Sequence, residues 1–170
     1  VESKFVTTRF GRTHMLVAGP ADAPAVLLIP GVAGCAPLWR RQLGALAQQF
    51  RVYALDIPGQ PGLSDPNPPS FLNDDYAAWL TDVLDGLGIA RAHFAGVSVG
   101  AWAAMRMGVR ARDRVLGVAM LGPTGLSHAR LPWRIWLTRV MRKSKDADVL
   151  QEDLTARTVS TQSPGSSFGT

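Results

Sequence analysis

The sequence predicts an α/β fold in which a mostly parallel sheet carries helices on both faces. Two observations support this prediction. Short apolar runs of strand length alternate with segments of helical periodicity, as expected when strands are buried beneath helices. Loops rich in glycine and proline separate these segments and interrupt both kinds of element. At 170 residues, of which 46% are hydrophobic, the chain can bury one core of ordinary domain size.

Six strands are predicted. The first two form an opening hairpin around a turn that contains Gly11. The run Ala25–Ile29 is apolar throughout, and the run Val115–Leu121 nearly so, which is typical of strands buried on both faces of a parallel sheet. In order, the predicted strands are residues 5–8, 14–18, 25–29, 51–55, 90–95 and 115–121.

Three helices alternate with these strands. The first places Leu43 and Phe50 on one face. The second begins at Asn73 or Asp74, which are good helix caps, and ends at Gly88. The predicted helices cover residues 39–50, 74–87 and 101–107.

The pattern changes near residue 124, so we assign residues 1–123 to a core and residues 124–170 to the start of a cap region. Residues 131–141 predict an amphipathic helix with a basic back. Its apolar side could pack on the body of the protein, cover a site as a lid, or bind a membrane surface. Residues 160–170 are rich in serine, glycine and threonine, and we expect a flexible tail.

Composition excludes several classes of function. The net charge of +5 is concentrated in residues 129–145, where a solvated helix face explains it better than a nucleic-acid site. The three histidines are scattered and Cys35 is the single cysteine, so neither a metal site nor an internal disulfide is predicted. The first residues lack a leader pattern, although a leader removed earlier is left open, and no apolar run approaches ~20 residues. We expect a soluble, cytoplasmic protein, regard a membrane surface as the least favoured partner, and leave the oligomeric state open.

The segment Gly96-Val97-Ser98-Val99-Gly100 has the layout of a nucleophile elbow. A strand pattern precedes it and a helical pattern follows it. In such an elbow the serine occupies a sharp turn, and a side chain two residues to either side would collide with the neighbouring strand or helix. The elbow would expose the Ser98 hydroxyl at the carboxyl edge of the sheet, where ligands bind in α/β folds.

Two further loops complete a resemblance to the α/β-hydrolase family over residues 5–123. The loop Pro30-Gly31-Val32-Ala33-Gly34 is similar to the oxyanion loop of that family, and the loop from Asp56 to Ser64 is similar to the one after its next strand. The resemblance implies acyl transfer without a cofactor, on a small-molecule acyl substrate. It assigns the nucleophile to Ser98, the oxyanion N–H groups to Val32 and Val99, and the elbow and loop glycines to Gly31, Gly96 and Gly100.

The chain departs from the family pattern in two ways. Pro30 stands where the oxyanion loop commonly has histidine. After the nucleophile the family supplies first an acid and then a histidine, but the one histidine after Ser98 is His128, near the start of the cap. His14 and His93 are interpreted as structural or surface residues, and Asp56 as a loop residue. We therefore expect the N-terminal part of a longer hydrolase, inactive alone, whose acid and base come from a further segment or a second chain.

Two other functions remain open. The fold could serve as a non-catalytic ligand-binding protein, as Pro30 and the missing base would permit. It could also belong to a cofactor-free haloperoxidase-like enzyme or a carbon–carbon bond hydrolase. Relatives with aspartate as the nucleophile are disfavoured by Ser98.

Overall fold

A computed structural model describes residues 1–125 as six strands and three α-helices in one sheet-centred unit. The predicted helix at 131–141, the tail at 160–170 and His128 lie outside the described residues. The strands are β1 (Glu2–Thr8), β2 (Gly11–Ala18), β3 (Ala25–Ile29), β4 (Arg51–Leu55), β5 (Ala92–Val97) and β6 (Val115–Leu121), and the helices are α1 (Arg40–Leu46), α2 (Asp75–Leu87) and α3 (Val99–Arg110).

The strands form a single sheet in the order β1-β2-β4-β3-β5-β6. The β1–β2 hairpin is antiparallel and β2 also pairs antiparallel with β4. The pairs β3–β4, β3–β5 and β5–β6 are parallel, so their carboxyl ends meet at one edge. This architecture confirms the predicted mostly parallel α/β fold.

Helices cover both faces of the sheet, as predicted. On one face, α2 and α3 bury a large core that includes Trp79, Leu80 and Met107 against β1, β3 and β5. On the other face, Leu43 of α1 packs with Val52 and neighbouring apolar residues. Every residue of β3 is buried, which explains its uninterrupted apolar sequence.

Several element boundaries differ from the prediction. The helix predicted over residues 39–50 is instead a 3₁₀ helix, Ala36–Trp39, followed by the short α1. Pro37 fits that first turn because its ring presets a helical φ. By contrast, α2 closely follows the prediction and ends at Gly88, whose φ of 69° is the left-handed conformation typical of a helix C-cap.

Strand β6 has the predicted bounds, but the prediction that it is buried is wrong for the part of the chain described. Leu116, Met120 and Leu121 are exposed. The physical reason is its position: within residues 1–125 it lies at the sheet edge and pairs only with β5. In the same region, no helix combines the length and apolar character needed to cross a bilayer.

Candidate active site

Ser98 lies between the end of β5 and the first residue of α3, with a φ of 54° and a ψ of −113°. A non-glycine residue with positive φ costs about 1–3 kcal/mol and persists only where surrounding structure imposes it. Here the Ser98 N–H donates to the carbonyl of Leu121 at 3.0 Å, and the Ser98 carbonyl accepts from the N–H of Trp102 at 3.1 Å. The end of β6 and the first turn of α3 therefore hold this strained residue.

The Ser98 side chain does not cap α3, although serine at a helix N-cap commonly bonds a nearby N–H. Its hydroxyl is therefore not engaged by the helix that follows it.

Gly96 and Gly100 meet the steric requirement predicted for an elbow. A Cβ at Gly96 would overlap the backbone of Gly100 and Ala101, and a Cβ at Gly100 would overlap the carbonyl groups of Ile29 and Pro30. The start of α3 thus packs directly on β5 and on the end of β3. Any side chain at either glycine would push these elements apart.

The loop after β3 lies against Ser98. A Cβ built on Gly31 would be 3.4 Å from the Ser98 Cβ and from the Val97 carbonyl oxygen. The next residue, Val32, and the residue after the serine, Val99, have N–H groups without an acceptor in the hydrogen-bond pattern of residues 1–125. Unbonded N–H groups beside a serine are the kind of donors that stabilise an oxyanion.

Two contacts fasten this loop to the loop after β4. Ala33, in a left-handed conformation with a φ of 58°, donates its N–H to the Gln60 side-chain oxygen at 3.0 Å. The buried N–H of Ala36 donates to Asp56 Oδ1 at 2.6 Å. The second loop therefore fixes the conformation of the first.

Asp56 is the centre of a buried polar network that the sequence did not reveal. Its Oδ2 accepts from the Leu63 N–H at 2.9 Å and lies 2.7 Å from His14 Nδ1. The other ring nitrogen, His14 Nε2, lies 2.8 Å from Ser3 Oγ. His14 is 3% exposed and Asp56 is 1% exposed, so the His14–Asp56 pair is internal, and Ser3 joins it from the exposed side of the edge strand.

Neither histidine of the described residues can act on Ser98. His14 is on β2, three strand positions from β5 in the sheet, or about 14 Å at ordinary strand spacing. His93 is five residues before Ser98 on the same strand, or about 16 Å along an extended chain. His93 instead stacks edge-on with Phe50, at 5.8 Å between ring centroids.

Cys35 follows the Pro30 to Gly34 loop but is not suited to act as a nucleophile. Partial burial raises the pKa of its thiol, and the nearby negative charge of Asp56 raises it further. The thiol therefore stays protonated near neutral pH, and only the thiolate is strongly nucleophilic. Within residues 1–125, no group of histidine, cysteine and acidic side chains could hold a metal ion.

Aromatic side chains form a wall at the start of α3. Trp102 lies one helical turn after Ser98, and its ring centroid is 5.3 Å from that of Tyr76 and 5.6 Å from that of Phe71. Burial raises the pKa of Tyr76, so its phenol stays neutral. The wall therefore lies at the first turn of α3, whose Trp102 N–H bonds the Ser98 carbonyl.

Comparisons with known proteins agree on one family of similar proteins. The model of the alpha/beta hydrolase fold matches residues 24–161. Carboxylesterase YbfK of Bacillus subtilis is 38% identical over 122 residues, which are 72% of this chain and 41% of that protein. An enol-lactonase of Acinetobacter baylyi, named for 3-oxoadipate, is 31% identical over 71% of this chain and 45% of its own length.

Solved structures agree with these sequence matches. The crystal structure of naproxen esterase from Bacillus subtilis has a TM-score of 0.68 and 37% identity, over 72% of this chain and 43% of that one. This chain therefore spans less than half the length of these relatives.

Proposed function

This chain belongs to the α/β-hydrolase fold family, and we propose that it is part of a carboxylesterase whose nucleophile is Ser98. The observation that carries the proposal is the strained Ser98, held between two glycines that admit no side chain. Strain of this kind is concentrated at functional sites. The carboxylesterase relatives at 38% identity support the reaction class.

In the proposed reaction, Ser98 Oγ attacks the carbonyl carbon of an ester while its proton passes to a general base. The N–H groups of Val32 and Val99 then donate to the developing oxyanion, and loss of one such donor typically costs about 3 kcal/mol of transition-state stabilisation. The intermediate expels the alcohol to leave an acyl-enzyme, and water attacks this acyl-enzyme to release the acid.

The proposed base and its orienting acid come from residues outside 1–125. The distances of His14 and His93 from Ser98 support this assignment, because a general base must be within hydrogen-bonding reach of the hydroxyl. We expect the 170-residue chain alone to hydrolyse p-nitrophenyl esters at most weakly. Rapid turnover by this chain that is abolished in Ser98→Ala would contradict the expected inactivity. It would still support Ser98 as the nucleophile.

The proposed substrate is a small ester with an apolar group. The wall formed by Phe71, Tyr76 and Trp102 offers aromatic contact area one helical turn from Ser98. The Arg106 guanidinium over the Trp102 ring, 5.8 Å from its centroid, already pairs with Asp74. We expect uncharged aryl or alkyl esters to be preferred over esters that carry a carboxylate near the reacting carbonyl.

The test is fluorophosphonate labelling of the longest natural form of the protein, followed by peptide mapping. We expect an adduct on the peptide that contains Ser98, lost in Ser98→Ala and retained in the control Ser70→Ala, whose serine lies in another loop. Tight binding of an ester analogue without an adduct on Ser98 would favour a non-catalytic binding protein instead.

A further inference from the structure

The described residues contain a complete Ser–His–Asp chain that does not include Ser98. Ser3 is on β1, His14 is on β2, and Asp56 follows the last residue of β4. These three strands are neighbours in the sheet. The Ser3 Oγ to His14 Nε2 distance is 2.8 Å and the His14 Nδ1 to Asp56 Oδ2 distance is 2.7 Å, within the range of ordinary hydrogen bonds.

The hydrogen bonds around Asp56 indicate which atoms donate and which accept between Asp56, His14 and Ser3. The backbone N–H groups of Ala36 and Leu63 both donate to the Asp56 carboxylate, so both of its oxygens act as acceptors. The His14 tautomer that fits this carboxylate donates its Nδ1–H to Oδ2. That tautomer leaves Nε2 as an acceptor for the Ser3 hydroxyl.

Ser3 is exposed to solvent, whereas its two partners, His14 and Asp56, are not. His14 and Asp56 are buried, and the Phe5 ring lies 5.0 Å from the His14 ring. Ser3 itself is exposed on the edge strand. A buried, oriented base beneath an exposed hydroxyl is the arrangement that activates serine toward an external electrophile.

We propose that Ser3 is a second activated serine of this protein, a site of covalent modification by small acyl or phosphonyl compounds that carry a good leaving group. With a fluorophosphonate, Ser3 Oγ forms a bond to phosphorus, the phosphorus–fluorine bond breaks, fluoride leaves, and the hydroxyl proton passes to His14 Nε2. Ser3 is on a strand, without the helix N-terminal N–H groups that follow Ser98. We therefore expect a stable adduct rather than turnover.

The experiment labels the Ser98→Ala variant of the longest natural form of the protein with an alkyl fluorophosphonate and quantifies adducts by peptide mass spectrometry. Ser70, which is on a loop and whose hydroxyl accepts a backbone N–H, is the internal control. We expect Ser3 to react about 10²-fold faster than Ser70, the usual size of a general-base effect, and to lose this advantage in His14→Gln. Equal rates at Ser3 and Ser70, or an unchanged Ser3 rate in His14→Gln, would overturn the proposal.

A second measurement covers the case in which His14→Gln fails to fold. Ser3→Cys and Ser70→Cys, each made with Cys35→Ser, are alkylated with iodoacetamide at pH 7. Because a neighbouring histidine raises the thiolate fraction, we expect Ser3→Cys to react about tenfold faster. Equal alkylation rates would overturn the proposal. Since Ser98 is absent or uninvolved in both measurements, their outcome is independent of the proposed esterase activity.

Discussion

Replacing Asp56 with asparagine tests the buried network that fixes the two loops beside Ser98. Asp56 accepts from the Ala36 N–H on Oδ1, and from His14 Nδ1 and the Leu63 N–H on Oδ2. Asparagine keeps the shape but has one acceptor oxygen, so its NH₂ group must face at least one of these donors. Hydrogen bonds to a charged group contribute about 1.5–3 kcal/mol each, and we expect Asp56→Asn to lower the free energy of unfolding by about 2 kcal/mol.

The assay is urea unfolding followed by circular dichroism. The matched control is Asp85→Asn, because the carboxylate of Asp85 pairs with Arg114 while 59% exposed, and exposed pairs contribute less than about 1 kcal/mol. A loss in Asp56→Asn no larger than the loss in Asp85→Asn would refute the claim that Asp56 organises these loops.

Two further predictions concern stability. Gly96→Ala places a Cβ against the Gly100 backbone, and we expect a loss of about 1–3 kcal/mol in urea unfolding. The control is Gly44→Ala, on a helix with open space around the new Cβ, which should raise the free energy of unfolding by up to about 1 kcal/mol. Equal changes in the free energy of unfolding for the two variants would argue against tight packing around Gly96. The pKa of Asp82 is lowered, chiefly by its side-chain hydrogen bond with Arg9. This pair therefore stabilises the folded state fully at pH values above the unfolded pKa of about 4. The stabilisation is lost as the pH falls through the lower pKa of the folded state. Asp82→Asn should therefore destabilise the protein slightly at pH 7 and not at pH 2, and the same difference at both pH values would contradict this assignment.

The parts of the fold that depend on local sequence could be predicted from it. The apolar run of β3 indicates a strand buried on both faces, and Gly88 indicates the helix end that its positive φ requires. The sharp turn at Ser98 could be located because its flanking glycines, at positions 96 and 100, leave no room for a side chain.

The remaining features depend on which strands become neighbours. The His14–Asp56 pair joins residues 42 positions apart, and it forms only because β2 pairs with β4. The sequence offered one faint signal, a histidine beside an apolar strand pattern, which we interpreted as a structural or surface residue. The exposure of β6 depends on whether a further strand pairs with it, because an apolar run is compatible with both the edge and the centre of a sheet.

The most direct test of the account is the rate of p-nitrophenyl ester hydrolysis by the longest natural form of the protein and by its Ser98→Ala variant. If Ser98 is the nucleophile, we expect the variant to lose at least about 10⁴-fold in kcat while remaining folded. Ester hydrolysis that continues at the same rate in Ser98→Ala would contradict the proposal that Ser98 is the nucleophile.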